Sequence, residues 1–170
     1  MQDADLFMEL AGIAGVFVGF GALIAVRAGG TSDIFEVAWM RAVVSIGLVA
    51  VLAALAPVVI SRYGLTEHQV WAVSSILFLV GFTGPFLIDN LSPEARAEGV
   101  DPVRRSIKVV RFAAWLPSMA FLFLAPIAIA LGLAPALEEA IYFTLVALAL
   151  AWCAIALLML VFTGRRPVSA

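Results

Sequence analysis

The chain has 170 residues, 64% of them hydrophobic and only 13% charged, with a formal net charge of −2. So little polar surface cannot cover so much apolar volume in water, which excludes a soluble globular domain and points to a polytopic helical membrane protein. The acidic balance argues against a nucleic-acid partner, and the single cysteine, Cys153, excludes an intrachain disulfide and a thiolate metal cluster.

The acidic start, with Asp3 and Asp5, lacks the basic region of a cleaved signal and is expected to be retained as the entry to a first helix over 6–27. That run is long enough to cross the roughly 30 Å hydrocarbon core at about 1.5 Å per residue. Ala28 to Asp33 reads as a turn and Ile34 to Met40 as an interfacial approach, with Trp39 at headgroup depth. A second helix is predicted over 40–61, with Arg62 to His68 as its exit loop, and a third over 69–88, interrupted near its end by Gly84-Pro85.

The polar loop 89–109 is the one long interruption in the apolar pattern, and with Arg111 it brings together Arg96, Arg104, Arg105 and Lys108. A fourth helix over 110–133 contains Pro117 and Pro126, which neighbouring helices can accommodate by satisfying the freed carbonyls. Glu138 and Glu139 close a short acidic loop before a fifth helix over 139–163, capped by Arg165 and Arg166. The fold expected is all-α: a single transmembrane domain over 1–170, a bundle of five transmembrane helices.

Basic residues set the orientation. With the N-terminus outside and the C-terminus inside, nine of the ten basic residues fall on the inner side and only Arg62 on the outer. The expected location is the bacterial plasma (inner) membrane. The same choice places Asp3, Asp5, Glu9, Glu67, Glu138 and Glu139 outside, a negative rim that sorting alone would leave and that could also concentrate cations.

The second and third helices echo the fourth and fifth. Arg41, Ala56-Pro57, Gly64-Leu65, Glu67 and Trp71 recur in order as Arg111, Ala125-Pro126, Gly132-Leu133, Glu138 and Tyr142. Both hairpins enter from the inside, so a true repeat would be parallel, about an axis along the membrane normal. Such signals are also common at membrane helix ends, and chance alignment stands beside the repeat.

The glycine-rich first helix with Glu9-Leu10-Ala11-Gly12, the Arg41-Ala42 opening of the second and the Gly-Leu corners at Gly64 and Gly132 carry a resemblance. The chain resembles an uncharacterised family of small bacterial multi-pass integral membrane proteins. That resemblance implies no activity and no cofactor.

Ala11, Gly15, Gly19 and Ala22 line one face of the first helix with small residues, which lets another backbone approach closely. The first expectation is packing against the protein's own hairpins, and the second is a subunit interface. Charges deep in a membrane are functional by default, and none is predicted there. Glu9, one turn into the first helix, is the candidate if there is a pore; otherwise it is an interfacial carboxylate favoured by the helix N-terminus.

His68, the only histidine, is expected as a solvated loop residue, and Trp71, Trp115, Tyr63 and Tyr142 as members of the interfacial aromatic belts. Trp152, mid-helix, wants a partner for its indole N–H. Arg104, Lys108 and Arg111 share a helix face beside Val103, Ile107 and Val110, suited to anionic lipid at the inner leaflet, or serving simply as topology determinants.

No catalytic or metal-ligating set assembles on one face, so no enzyme, cofactor or metal is expected. Two function classes remain. One is a structural or accessory subunit acting through helix-face association, with itself or with another membrane protein. The alternative is a homo-oligomeric ion or small-solute channel, gated by a hydrophobic constriction.

Overall fold

The computed structural model describes residues 4–27, 34–91 and 102–163, which form five long α-helices with no strand among them. Helix α1 covers Ala4–Arg27, α2 Ile34–Ile60, α3 Glu67–Leu91, α4 Pro102–Ala130 and α5 Glu138–Thr163. Short 3-10 turns at Ser61–Tyr63 and Pro135–Leu137 join α2 to α3 and α4 to α5. Three segments, Ala4–Ile24, Val43–Tyr63 and Pro135–Leu158, are long and apolar enough to cross a membrane, and Leu116–Ala130 is a shorter apolar stretch.

Helices α2, α3 and α4 begin earlier than hydropathy alone predicts. Helix α2 starts at Ile34 rather than at residue 40. Helix α4 starts at Pro102, a residue whose missing N–H costs nothing in the first helical turn, so the basic half of the polar loop 89–109 is helical. Helix α3 starts at Glu67 because Thr66 and Gln69 form a reciprocal cap: the Thr66 N–H donates to Gln69 Oε1 at 3.0 Å and the Gln69 N–H to Thr66 Oγ1 at 3.4 Å.

The corners are made by glycine. Gly64 (φ 71°) and Gly132 (φ 65°) adopt the left-handed conformation that a side chain disfavours. At the second corner the Gly132 N–H donates to the Ile129 carbonyl at 2.9 Å and the Leu133 N–H to the Ala128 carbonyl at 3.0 Å, the paired bonds of a Schellman motif.

Phe7, Trp71 and Tyr142 meet near the starts of α1, α3 and α5, so those helices begin at the same end of the bundle. Helix α2 packs on α1, α3 and α5, while α4 closes the other side against α3 and α5. One core draws on all five helices, including Ala14, Ala50, Phe78, Leu122 and Ala149. Ala14, Ala50, Ala53, Ala54 and Ala149 belong to it, small residues that let backbones approach closely where lipid supplies no hydrophobic drive between helices. Phe82 stacks on Phe78 and meets Phe123 edge-on at 5.8 Å, joining α3 to α4.

Helix α1 is seated by two glycine notches. A Cβ at Gly21 would lie 2.9 Å from Val43 Cγ1, and one at Gly47 would lie 2.8 Å from Val18 Cγ2. Each helix thus offers a glycine to the other's valine. Outside, Leu23, Leu52, Val80, Leu124 and Leu158 are each more than half exposed, one on every helix. An apolar exterior distributed in this way belongs against hydrocarbon.

Substitution at the notch should separate from substitution elsewhere on α1. Gly47→Val is expected to cost about 1–3 kcal/mol through overpacking, read as a lowered thermal midpoint in detergent. Gly12→Val, where a Cβ meets nothing within 4 Å, should lower it far less. Equal losses would contradict the notch.

Candidate functional site

The polar atoms buried in the described part of the bundle gather at the end where α1, α3 and α5 begin. The Thr66–Gln69 cap puts His68 on the first turn of α3 instead of in a loop. The Gly132 corner and the 3-10 turn that follows deliver Glu138 to the first turn of α5. His68 Nδ1 and Glu138 Oε1 lie 2.7 Å apart, the imidazole donating to the carboxylate.

The pair is asymmetric: Glu138 is 3% exposed and His68 48%. Gly132 lies under the imidazole, where a Cβ would come within 3.3 Å of His68 Cε1. Glycine is therefore required there twice, for the backbone turn and for the ring above it. Of the expectation of a solvated loop histidine, the exposure holds and the loop does not: His68 sits on the first turn of α3 and ties two helix starts together.

One turn deeper, Trp71 and Tyr142 are fully buried, with ring centroids 5.6 Å apart. Phe7 caps them at 5.9 and 6.1 Å and meets Phe143 edge-on at 5.9 Å. Their expected place in an interfacial belt is thus wrong for both residues, because each has core on every side. Tyr63, by contrast, is exposed at the corner.

Tyr142 brings a hydroxyl into that core and must satisfy it. It donates to the Ala53 carbonyl at 2.8 Å, with the Ser74 carbonyl farther off at 3.4 Å. Ala53 is four residues before Pro57, which has no N–H to donate back along α2, so the tyrosine supplies the bond that the proline removes. The hydroxyls of Ser74 and Ser75, both fully buried beside this contact, have no hydrogen-bond partner among the described residues. Toward the other end of α5, the buried Cys153 thiol donates to the Val43 carbonyl at 3.3 Å, and Trp152 packs half-buried against the core.

The residues singled out by sequence stand apart from this cluster. Glu9 is exposed on α1, on the side that carries Ile13, Val16 and Phe20. Ala11 is partly buried, while Gly15, Gly19 and Ala22 are exposed. A Cβ at Gly12, Gly15 or Gly19 would meet nothing within 4 Å, so these glycines do not pack against the protein's own hairpins, whereas Ala11 packs against the core. The glycine that does is Gly21, about a third of a turn or more around the helix from the stripe. Arg104, Lys108 and Arg111 belong to α4, and their side chains lie outside the described residues.

Sequence reasoning missed the His68–Glu138 pair and the Tyr142–Ala53 bond. Both left signals: Thr66 and Gln69 at capping-box spacing, Glu138 and Tyr142 one turn apart, and Pro57 freeing a carbonyl. Chemically the cluster offers one imidazole–carboxylate pair, and among the described residues no three His, Cys, Asp or Glu converge on a point. No family model matches the chain, and no curated protein or solved structure is significantly similar to it.

Removing either partner of the pair should be unequal in effect. His68→Ala strands a buried carboxylate and is expected to destabilise by about 2 kcal/mol or more, read from unfolding in detergent. Glu138→Gln keeps an acceptor for the imidazole and should cost less. A silent His68→Ala would show that the pair does not hold the corner.

Proposed function

We propose that this protein is a multi-pass protein of the bacterial plasma membrane that acts as a structural or accessory subunit through the outward small-residue face of α1. The observation that carries the reading is the empty space over Gly12, Gly15 and Gly19, continued by the exposed Ala22. Glycine in a helix interior costs about 1 kcal/mol relative to alanine, and among the described residues nothing lies within 4 Å of the Cβ position to call for it. A second helix laid along the stripe would, because the absent side chains let two backbones meet. The occupant is α1 of another copy or a helix of a partner membrane protein.

In this reading five helices cross the bilayer with the N-terminus outside, supported by the concentration of basic residues on the opposite side. The exterior leucines and valines face lipid on all sides. Arg104, Lys108 and Arg111, at spacings of four and three on α4, contact anionic lipid at the inner leaflet. A parallel repeat of the two hairpins is supported by Trp71 meeting its counterpart Tyr142, by the burial of both Pro57 and Pro126, and by left-handed glycines at both corners.

The channel alternative needs Glu9 beside a shared path. Glu9 lies with Val16 and Phe20, away from the glycine stripe, so an assembly closed through that stripe leaves it off the axis.

The test is the native mass of the protein extracted from its own membrane, for the wild type and for Gly15→Leu and Gly19→Leu. Space is available for both side chains, so the variants should fold and lose the larger species, whether homomeric or mixed. An assembly that survives both substitutions, or a wild type that is monomeric and unpartnered, would overturn the reading.

A further inference from the structure

Glu9 stands on the outside of α1 among Leu6, Ile13, Val16 and Phe20, all exposed hydrophobic residues. Among the described residues its carboxylate has no ion pair and no hydrogen-bond partner. The contacts of Phe7 with Trp71 and Tyr142 fix how deep it lies. Glu67 and Glu138, which open α3 and α5, precede those two rings by four residues, about 6 Å toward the end of the bundle. Glu9 follows Phe7 by two residues and lies about 3 Å the other way. It therefore sits about 9 Å below the level at which α3 and α5 begin, inside the apolar segment Ala4–Ile24.

If the chain spans a bilayer as proposed above, this carboxylate is within the span and faces away from its own bundle. Ionisable groups in such places face protein and pair, because hydrocarbon does not solvate them. Glu9 also begins a line. Glu9, Gly12, Val16, Gly19 and Leu23, all exposed, follow at spacings of three and four, the pattern along which one helix meets another. The line flanks the small-residue stripe and shares Gly19 with it, so a helix seated there covers both glycines and the carboxylate together.

A second copy does not supply the counter-charge. Inserted the same way up, its α1 brings another Glu9 to that depth, and the basic residue of that helix, Arg27, is about 27 Å farther along at 1.5 Å per residue. Arg62 follows Ala53, whose carbonyl Tyr142 contacts, by nine residues, which puts it about 16 Å above Glu9, too far for an ion pair. His68 is already paired with Glu138.

We propose that α1 docks a membrane-spanning helix of a different protein, one that carries a lysine or arginine at the depth of Glu9. The inference rests on the association through α1 proposed above and names the chemistry of the partner: a glycine-compatible helix face with one cation near its outer end.

The test uses the full chain in lipid nanodiscs and three synthetic membrane-spanning helices of leucine and alanine. Each has glycines at four-residue spacing and carries lysine, leucine or glutamate two turns from one end; association is read by energy transfer between labels. The lysine helix should bind at least about five-fold more tightly than the leucine helix, the factor that one polar contact between membrane helices supplies, and the glutamate helix most weakly. Glu9→Gln should remove that preference at an unchanged thermal midpoint, because Glu9 is exposed. Gly12→Leu, where a Cβ meets nothing within 4 Å, should weaken the lysine and leucine helices alike. A lysine helix that binds no better than the leucine one, or that keeps its preference against Glu9→Gln, would overturn the inference and leave association through α1 standing. Binding indifferent to Gly12→Leu would overturn that association and the inference with it.

Discussion

The bond from the Tyr142 hydroxyl to the Ala53 carbonyl is the contact on which the rest of the bundle depends. Within a bilayer no water is at hand to satisfy a carbonyl stripped of its helical partner, and Pro57 strips this one. Tyr142 closes the gap from another helix, and in doing so sets the rotation and height of α5 against α2. The consequences propagate one turn at a time. With Tyr142 fixed, Trp71 and Phe7 pack on its ring, and Glu138, four residues earlier, comes up beneath His68. Gly132 can then form the corner that leaves room for the imidazole.

This arrangement divides the molecule into a specified end and a plain end. Where α1, α3 and α5 begin, hydrogen bonds and aromatic contacts fix the helices to one another. Toward the other end, small residues and the glycine notches at Gly21 and Gly47 do so by close approach, with the Cys153 thiol as a polar contact between α2 and α5. Seating α1 through Gly21 and Phe7 turns its other glycines outward. The same packing that completes the fold thereby leaves a face suited to association, which links the architecture to the proposed role.

Much of the architecture was legible in the chain because long apolar runs separated by polar breaks form helices, and five runs became five helices, three of them with segments long and apolar enough to cross a membrane. Boundaries moved where capping chemistry overrode hydropathy, at Thr66–Gln69 and at Pro102. The small-residue stripe was legible as a stripe, but periodicity places residues on a face without saying which way the face turns. That depended on Gly21 and Gly47, whose importance appears only when Val43 and Val18 are set against them. Trp71 and Tyr142 were misplaced because position near a helix end suggests an interfacial ring, whereas a proline four residues past a buried carbonyl called for a donor inside. His68 was misread for a related reason: its partner is 70 residues away in sequence, and local reading cannot bring the two corners together.

The central claim is tested most directly by a double-mutant cycle between Pro57→Ala and Tyr142→Phe, followed by reversible unfolding in mixed micelles. In the wild-type background Tyr142→Phe should cost about 1–2 kcal/mol, because it leaves the Ala53 carbonyl buried and unsatisfied. With alanine at position 57 the helix regains an N–H for that carbonyl, and the same substitution should cost close to nothing, a coupling of about 1 kcal/mol. Equal costs in the two backgrounds would mean that the tyrosine does not answer the proline, and the account of how the bundle is fixed would fail.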